Sequence, residues 1–86
     1  MQGHRRADGT QPHELQPGEY ALASEDAQVV WLCSPVGKAG HVSAPTWGIT
    51  VEQDGTVTVS PSIWWDAHES PPGWHGFLER GIWREA

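Results

Sequence analysis

The chain is poor in cysteine, in basic residues and in long apolar runs, and each shortage removes a class of protein. Its single thiol, Cys33, cannot build an internal disulfide framework. That excludes the small cross-linked secreted scaffolds and points to a reducing cytosol. Five basic residues stand against eleven acidic ones, for a net charge of −6. Residues 19–86 hold nine acids and only three bases. A direct nucleic-acid binder needs clustered Lys and Arg to displace counterions, so that class is set aside. No apolar stretch approaches a membrane span, and the first residues lack the basic-then-apolar order of a signal peptide. No segment carries a sustained helical period; residues 21–28 hold one helical turn at most.

What is present is tryptophan. Six indoles (31, 47, 64, 65, 74 and 83) occur in 86 residues with few aliphatics around them. A domain this small leaves a large share of its surface exposed, so each large side chain matters. An aromatic ring buries roughly 150–250 Å², and four or five of them supply most of a miniature core.

The second half of the chain holds the clearest fold signal. Trp47, Ile49 and Val51 alternate with Gly48, Thr50 and Glu52, and Val57 and Val59 alternate with Thr56, Thr58 and Ser60. Asp54-Gly55 between two such runs predicts a hairpin. Pro61, with no N–H, is expected to end the ladder or mark an edge. Gln28 to Cys33 reads as a central strand covered on both faces. Glu19 to Ala23 reads as a short strand with Tyr20 and Leu22 on one face, and His41 to Ser43 as a brief partner strand. Residues 66–73, with Pro71-Pro72-Gly73, read as an exposed loop. Trp74 to Leu78 and Gly81 to Trp83 form a closing hairpin. The prediction is an all-β fold, a small antiparallel sheet or meander of about five or six short strands. Residues 18–86 make one domain, and residues 1–17, rich in breakers, form a disordered, mobile tail with Leu15 as the place where partial order is expected.

Several of these residues together resemble a known group. The succession Trp31-Leu-Cys33, Gly40-His41, Trp47 to Asp54-Gly55, Pro61-Ser62-Ile63 and Trp74-His75-Gly-Phe77-Leu78-x-x-Gly81 is similar to a family of small uncharacterised bacteriophage and prophage proteins. The pairing of Pro-Ser-Ile with His-x-Phe-Leu-x-x-Gly is its most specific part, and the match spans roughly residues 29–83. The resemblance implies a mobile-element origin, a small β fold and no known activity. Members of that family carry a Cys-x-x-Cys knuckle and a Cys-His pair that look like a zinc site. Here the second knuckle position is Val36, and Trp74 stands where the cysteine before His75 is expected. Cys33, His41 and His75, with His68 nearby, are the metal ligands that remain. Structural zinc asks for four N/S ligands, so no cofactor is the first expectation and zinc the second.

Two further places hold residue types capable of chemistry. Cys33 with His41 or His75 would need a base within reach and a third group to orient it, which nothing in the spacing indicates. Asp66 and His68 lie in the proline-rich loop, where solvated side chains are ordinary. No catalytic residue is expected, and the chain reads as a non-enzyme. Trp64-Trp65 is different, because adjacent strand residues face opposite ways and one of the two stays exposed unless both faces are covered. Trp64, Trp65, Asp66, Glu69 and Trp74 are therefore the candidate partner-binding residues. The functional expectation is a phage-type accessory protein in the bacterial host cytoplasm. It would grip a host or phage protein, as small inhibitors of host defence such as anti-CRISPR proteins do. The alternatives are a degenerate zinc-ribbon-like protein and a Trp-lined carbohydrate- or peptide-binding module.

Overall fold

Apolar residues at every second position require a covering layer, and this chain supplies it as two sheets face to face. The computed structural model describes residues 1–69 and 71–86. The first sheet is ordered β1-β2-β3-β4, with β1 His4–Arg5, β2 Glu19–Leu22, β3 Val29–Cys33 and β4 Ala39–Ser43. The second is ordered β5-β6-β7-β8, with β5 Gly48–Val51, β6 Val57–Trp65, β7 Trp74–Glu79 and β8 Ile82–Glu85. All neighbouring strands are antiparallel except β1 and β2, which run parallel. The all-β expectation holds, with eight short strands where about five or six were expected. No helical turn forms between residues 21 and 28; β2 runs to Leu22 and a turn through Ala27, at φ 57°, leads into β3.

One core joins the sheets. Tyr20, Leu22, Val30, Leu32 and Val42 from the first meet Val57, Val59, Ile63, Trp74, Leu78 and Trp83 from the second. Trp83 packs edge-on against Trp74 at 5.4 Å, and Trp74 against Trp65 at 6.4 Å. Their polar tips are spent across the seam. Trp83 Nε1 donates to the Gly18 carbonyl at 2.8 Å, just before β2, and Trp65 Nε1 donates to that of Ala39 in β4 at 3.2 Å. The indoles thus serve as apolar filling and as hydrogen-bonded ties.

β3 is covered on both faces, as its continuous apolar run predicted. Val30 and Leu32 enter the main core, while Trp31 and Cys33 face a second cluster with Ala21 and Leu15. That second cluster corrects the expectation of a mobile tail over residues 1–17. Leu15, after a 3-10 turn at Pro12–Glu14, is only 7% exposed. The segment is also tied by its backbone: Gly3 N–H to Gly81 O, Arg6 N–H to Tyr20 O, and Gly9 N–H to Leu22 O, each at 2.8 Å. Composition alone missed this because the ordering contacts are mostly main-chain bonds, to which residue type is nearly blind.

The Asp54-Gly55 hairpin forms as expected. Gly55 sits at φ 87°, and Asp54 Oδ1 accepts from Thr56 N–H and Oγ1 at 3.0 and 2.6 Å. The closing hairpin turns through Arg80 and Gly81, at φ 49° and 75°, the left-handed pair that a two-residue turn uses. Pro61 ends the ladder with β5, whose last pair is Gly48 with Ser60, as expected, but it does not end the strand: β6 runs on to Trp65 beside β7. A break in register between Val59 and Ile63 absorbs it: four residues of β6 are spanned by two of β7, from Leu78 to Gly76. A bulge accommodates the missing N–H without losing the inward direction of Ile63.

Two stability predictions follow from these contacts. Trp83→Ala should cost about 3–5 kcal/mol in urea denaturation, and Trp83→Phe, which leaves the Gly18 carbonyl only its 3.2 Å bond from His4 N–H, about 0.5–1.5 kcal/mol. Glu19 accepts from Gln16 N–H and Arg6 Nη1, both at 2.8 Å, and these bonds hold its carboxyl below the ordinary value against a smaller opposing effect of desolvation. A depressed folded value stabilises above the unfolded pKa and is lost as pH falls through the folded one. Wild type should therefore exceed Glu19→Gln in stability at neutral pH, with the difference closing as acid protonates the folded carboxyl.

Candidate active site

The inward face of the second sheet is fixed by the core, so alternate residues face out. On β7, Trp74, Gly76 and Leu78 are buried, which turns His75 and Phe77 outward. On β6, Ile63 is buried and Trp64 is 70% exposed. Ser62 shares the outward face of Trp64, beside His75. Ser62 Oγ and His75 Nε2 are 2.9 Å apart, a direct hydrogen bond.

The surroundings restrict both groups. Trp47 Nε1, just before β5, donates to the Ser62 carbonyl at 3.1 Å and pins the bulge. The imidazole stands between two rings, Trp64 at 6.4 Å and Phe77 at 6.5 Å. Phe77 is capped in turn by the Arg84 guanidinium, 4.5 Å from its centroid, which bonds Glu79 at 2.6 Å. Among the described residues no carboxylate hydrogen-bonds His75. Trp47, Ser62, Trp64 and His75 line one open groove of about 510 Å³. Chemically this is a hydroxyl with a base in hydrogen-bond reach, in an accessible aromatic cleft, which meets the first geometric requirement for an activated nucleophile.

The residues expected to bind a partner are dispersed. Trp64 is exposed within this groove. Trp65 is half-buried against the core. Trp74 is only 6% exposed, so its expected place on a contact surface is corrected: position 74 shares the inward parity of Gly76 and Leu78 and packs between Trp65 and Trp83. Asp66 accepts from His68 N–H at 2.7 Å and shapes the start of the loop, and Glu69 is exposed. The loop expected over residues 66–73 is present in its described part; Ser70 lies outside the described residues.

The expected metal ligands are not assembled. Cys33 faces Leu15 and Ala21 in the first sheet, His41 is exposed on β4, and His75 is on the second sheet with Ser62. Among the described residues no group of three such side chains is placed to hold a metal ion. Burial, with a smaller contribution from the Glu19 charge, pushes the Cys33 thiol above its ordinary pKa, the opposite of what a nucleophilic thiolate needs.

A small β-sandwich with a surface Ser–His pair is thus what the fold and site define. Residues 7–86 match the family described as "Bacterial ubiquitination-like system serine protease (BubE)", and the chain belongs to that family. The chain matches no curated protein and no solved structure. The family is one of serine proteases, which corrects the expectation that the chain is not an enzyme. It is also a different family from the phage group that the motifs resemble, and neither the fold nor the match supports the inhibitor reading.

The sequence points to Cys33 before Ser62 as a nucleophile, although Pro61-Ser62-Ile63 and His75-x-Phe77-Leu78 are its two most specific segments and each contributes one member of the pair. What local sequence does not carry is the pairing of β6 with β7, which sets Ser62 beside His75. A serine nucleophile leaves Cys33 without a chemical task. Ellman's reagent should therefore modify Cys33 at least about 10-fold more slowly in the native protein than in denaturant, as a buried, protonated thiol requires.

Proposed function

We propose that this chain is a serine protease in which Ser62 is the nucleophile and His75 its general base. One observation carries the reading: the 2.9 Å bond between Ser62 Oγ and His75 Nε2 on an exposed, groove-lined face. The family description supports the reaction class. In the reactive tautomer Nδ1 carries the imidazole proton and Nε2 accepts from Oγ. As Oγ bonds to the substrate carbonyl carbon, Nε2 takes its proton. When the C–N bond breaks, that proton passes to the departing amine and an acyl-Ser62 remains. Water then attacks the ester, giving one proton to Nε2, and this proton returns to Oγ as the acid leaves.

In place of a carboxylate orienter, the Trp64 and Phe77 rings confine the imidazole, and the Trp47 bond fixes the backbone beneath the nucleophile. The substrate, on this proposal, is a protein of a bacterial ubiquitination-like system, cut at a peptide or isopeptide bond in the bacterial cytoplasm. The family description and the free thiol support that setting.

A rhodamine-linked fluorophosphonate tests the chemistry without a known substrate. Wild type should be labelled stoichiometrically, Ser62→Ala not at all, and His75→Ala about 10²–10⁴-fold more slowly, the span of one general base. Undiminished labelling of Ser62→Ala would overturn the assignment.

A further inference from the structure

The groove that holds the Ser–His pair is walled by two indoles, and that wall has a consequence for what is cut. We infer that Trp47 and Trp64 form the subsite for the side chain of the substrate residue that supplies the scissile carbonyl, and that it selects a large apolar side chain there. The inference rests on Ser62 being the nucleophile and goes beyond it to the substrate's sequence.

Three observations carry it. First, the occupant is set by position. A carbonyl that reaches Ser62 Oγ brings its own residue's side chain into the space that Ser62 shares with Trp47 and Trp64. Second, the wall offers apolar surface. The Trp47 N–H is already spent on the Ser62 carbonyl at 3.1 Å, so that ring presents its apolar surface. Among the described residues the groove lining includes no Lys, Arg, Asp or Glu to receive a charged side chain. Third, Trp64 is 70% exposed although every other indole of the chain is buried or half-buried. An indole left in water beside a reactive hydroxyl gains most when an apolar group covers it. The volume, about 510 Å³ open to solvent, admits a leucine or phenylalanine side chain.

Acetyl-Ala-Ala-X diphenyl phosphonates, with X bearing the glycine, aspartate, leucine or phenylalanine side chain, read this subsite directly. On wild type the leucine and phenylalanine reagents should inactivate about 10- to 100-fold faster than the glycine and aspartate reagents, the range expected for filling an apolar pocket. Trp64→Ala should compress that ratio to about threefold or less, and Trp64→Phe should restore most of it. An exposed position makes loss of fold an improbable cause, and the melting temperature of each variant checks it. Equal rates across the four reagents on wild type, or a preference that survives Trp64→Ala, would overturn the subsite. If neither these reagents nor the fluorophosphonate modifies Ser62, the protease reading itself fails.

Discussion

Everything on the functional face depends on how β6 is registered against the core. Val57, Val59 and Ile63 must all point inward, because they supply much of the second sheet's share of a very small interior. Pro61 lies among them and cannot donate to the ladder. The bulge reconciles the two demands by spending two extra residues between Val59 and Ile63, so that Ile63 still points inward. Ser62 keeps the outward direction of Trp64, and its hydroxyl meets His75, whose own direction is set by buried Trp74 and Gly76 on either side.

The indoles divide the remaining work. Trp65, Trp74 and Trp83 form an edge-to-face series through the seam, tied at its ends by N–H bonds to the Ala39 and Gly18 carbonyls. Trp31 helps close the second, smaller cluster that fastens residues 1–17. Trp47 straddles the two tasks, packed against the core through its ring and bonded to the Ser62 carbonyl through its nitrogen. Trp64 alone faces water, at the mouth of the groove. The cleft is built on paired strands and two rings, with hydroxyl and base 2.9 Å apart.

Much of this fold was legible from local pattern. The Asp54-Gly55 turn, the two-sided burial of Val29 to Cys33, and the parity that separates Trp64 from Trp65 are all consequences of period-two alternation. The ordering of residues 1–17 was not legible, because main-chain bonds to Gly81, Tyr20 and Leu22 leave no trace in composition. The site was half legible. His75 and the Pro-Ser-Ile segment stood out as specific residues. Their meeting depends on the pairing of β6 with β7, which no count of residues between 62 and 75 discloses. Cys33 drew attention as the lone thiol, but the same apolar run that makes β3 a good strand makes that thiol inert.

The central claim is a polarity: the Ser62 hydroxyl gives its hydrogen bond to His75 Nε2. Long-range proton–nitrogen NMR of the imidazole, with the ring neutral, measures it directly. The account predicts a His75 ring protonated at Nδ1, with Nε2 reporting an accepted hydrogen bond that disappears in Ser62→Ala. A ring protonated at Nε2, donating toward Ser62 and unchanged by removal of the hydroxyl, would contradict it.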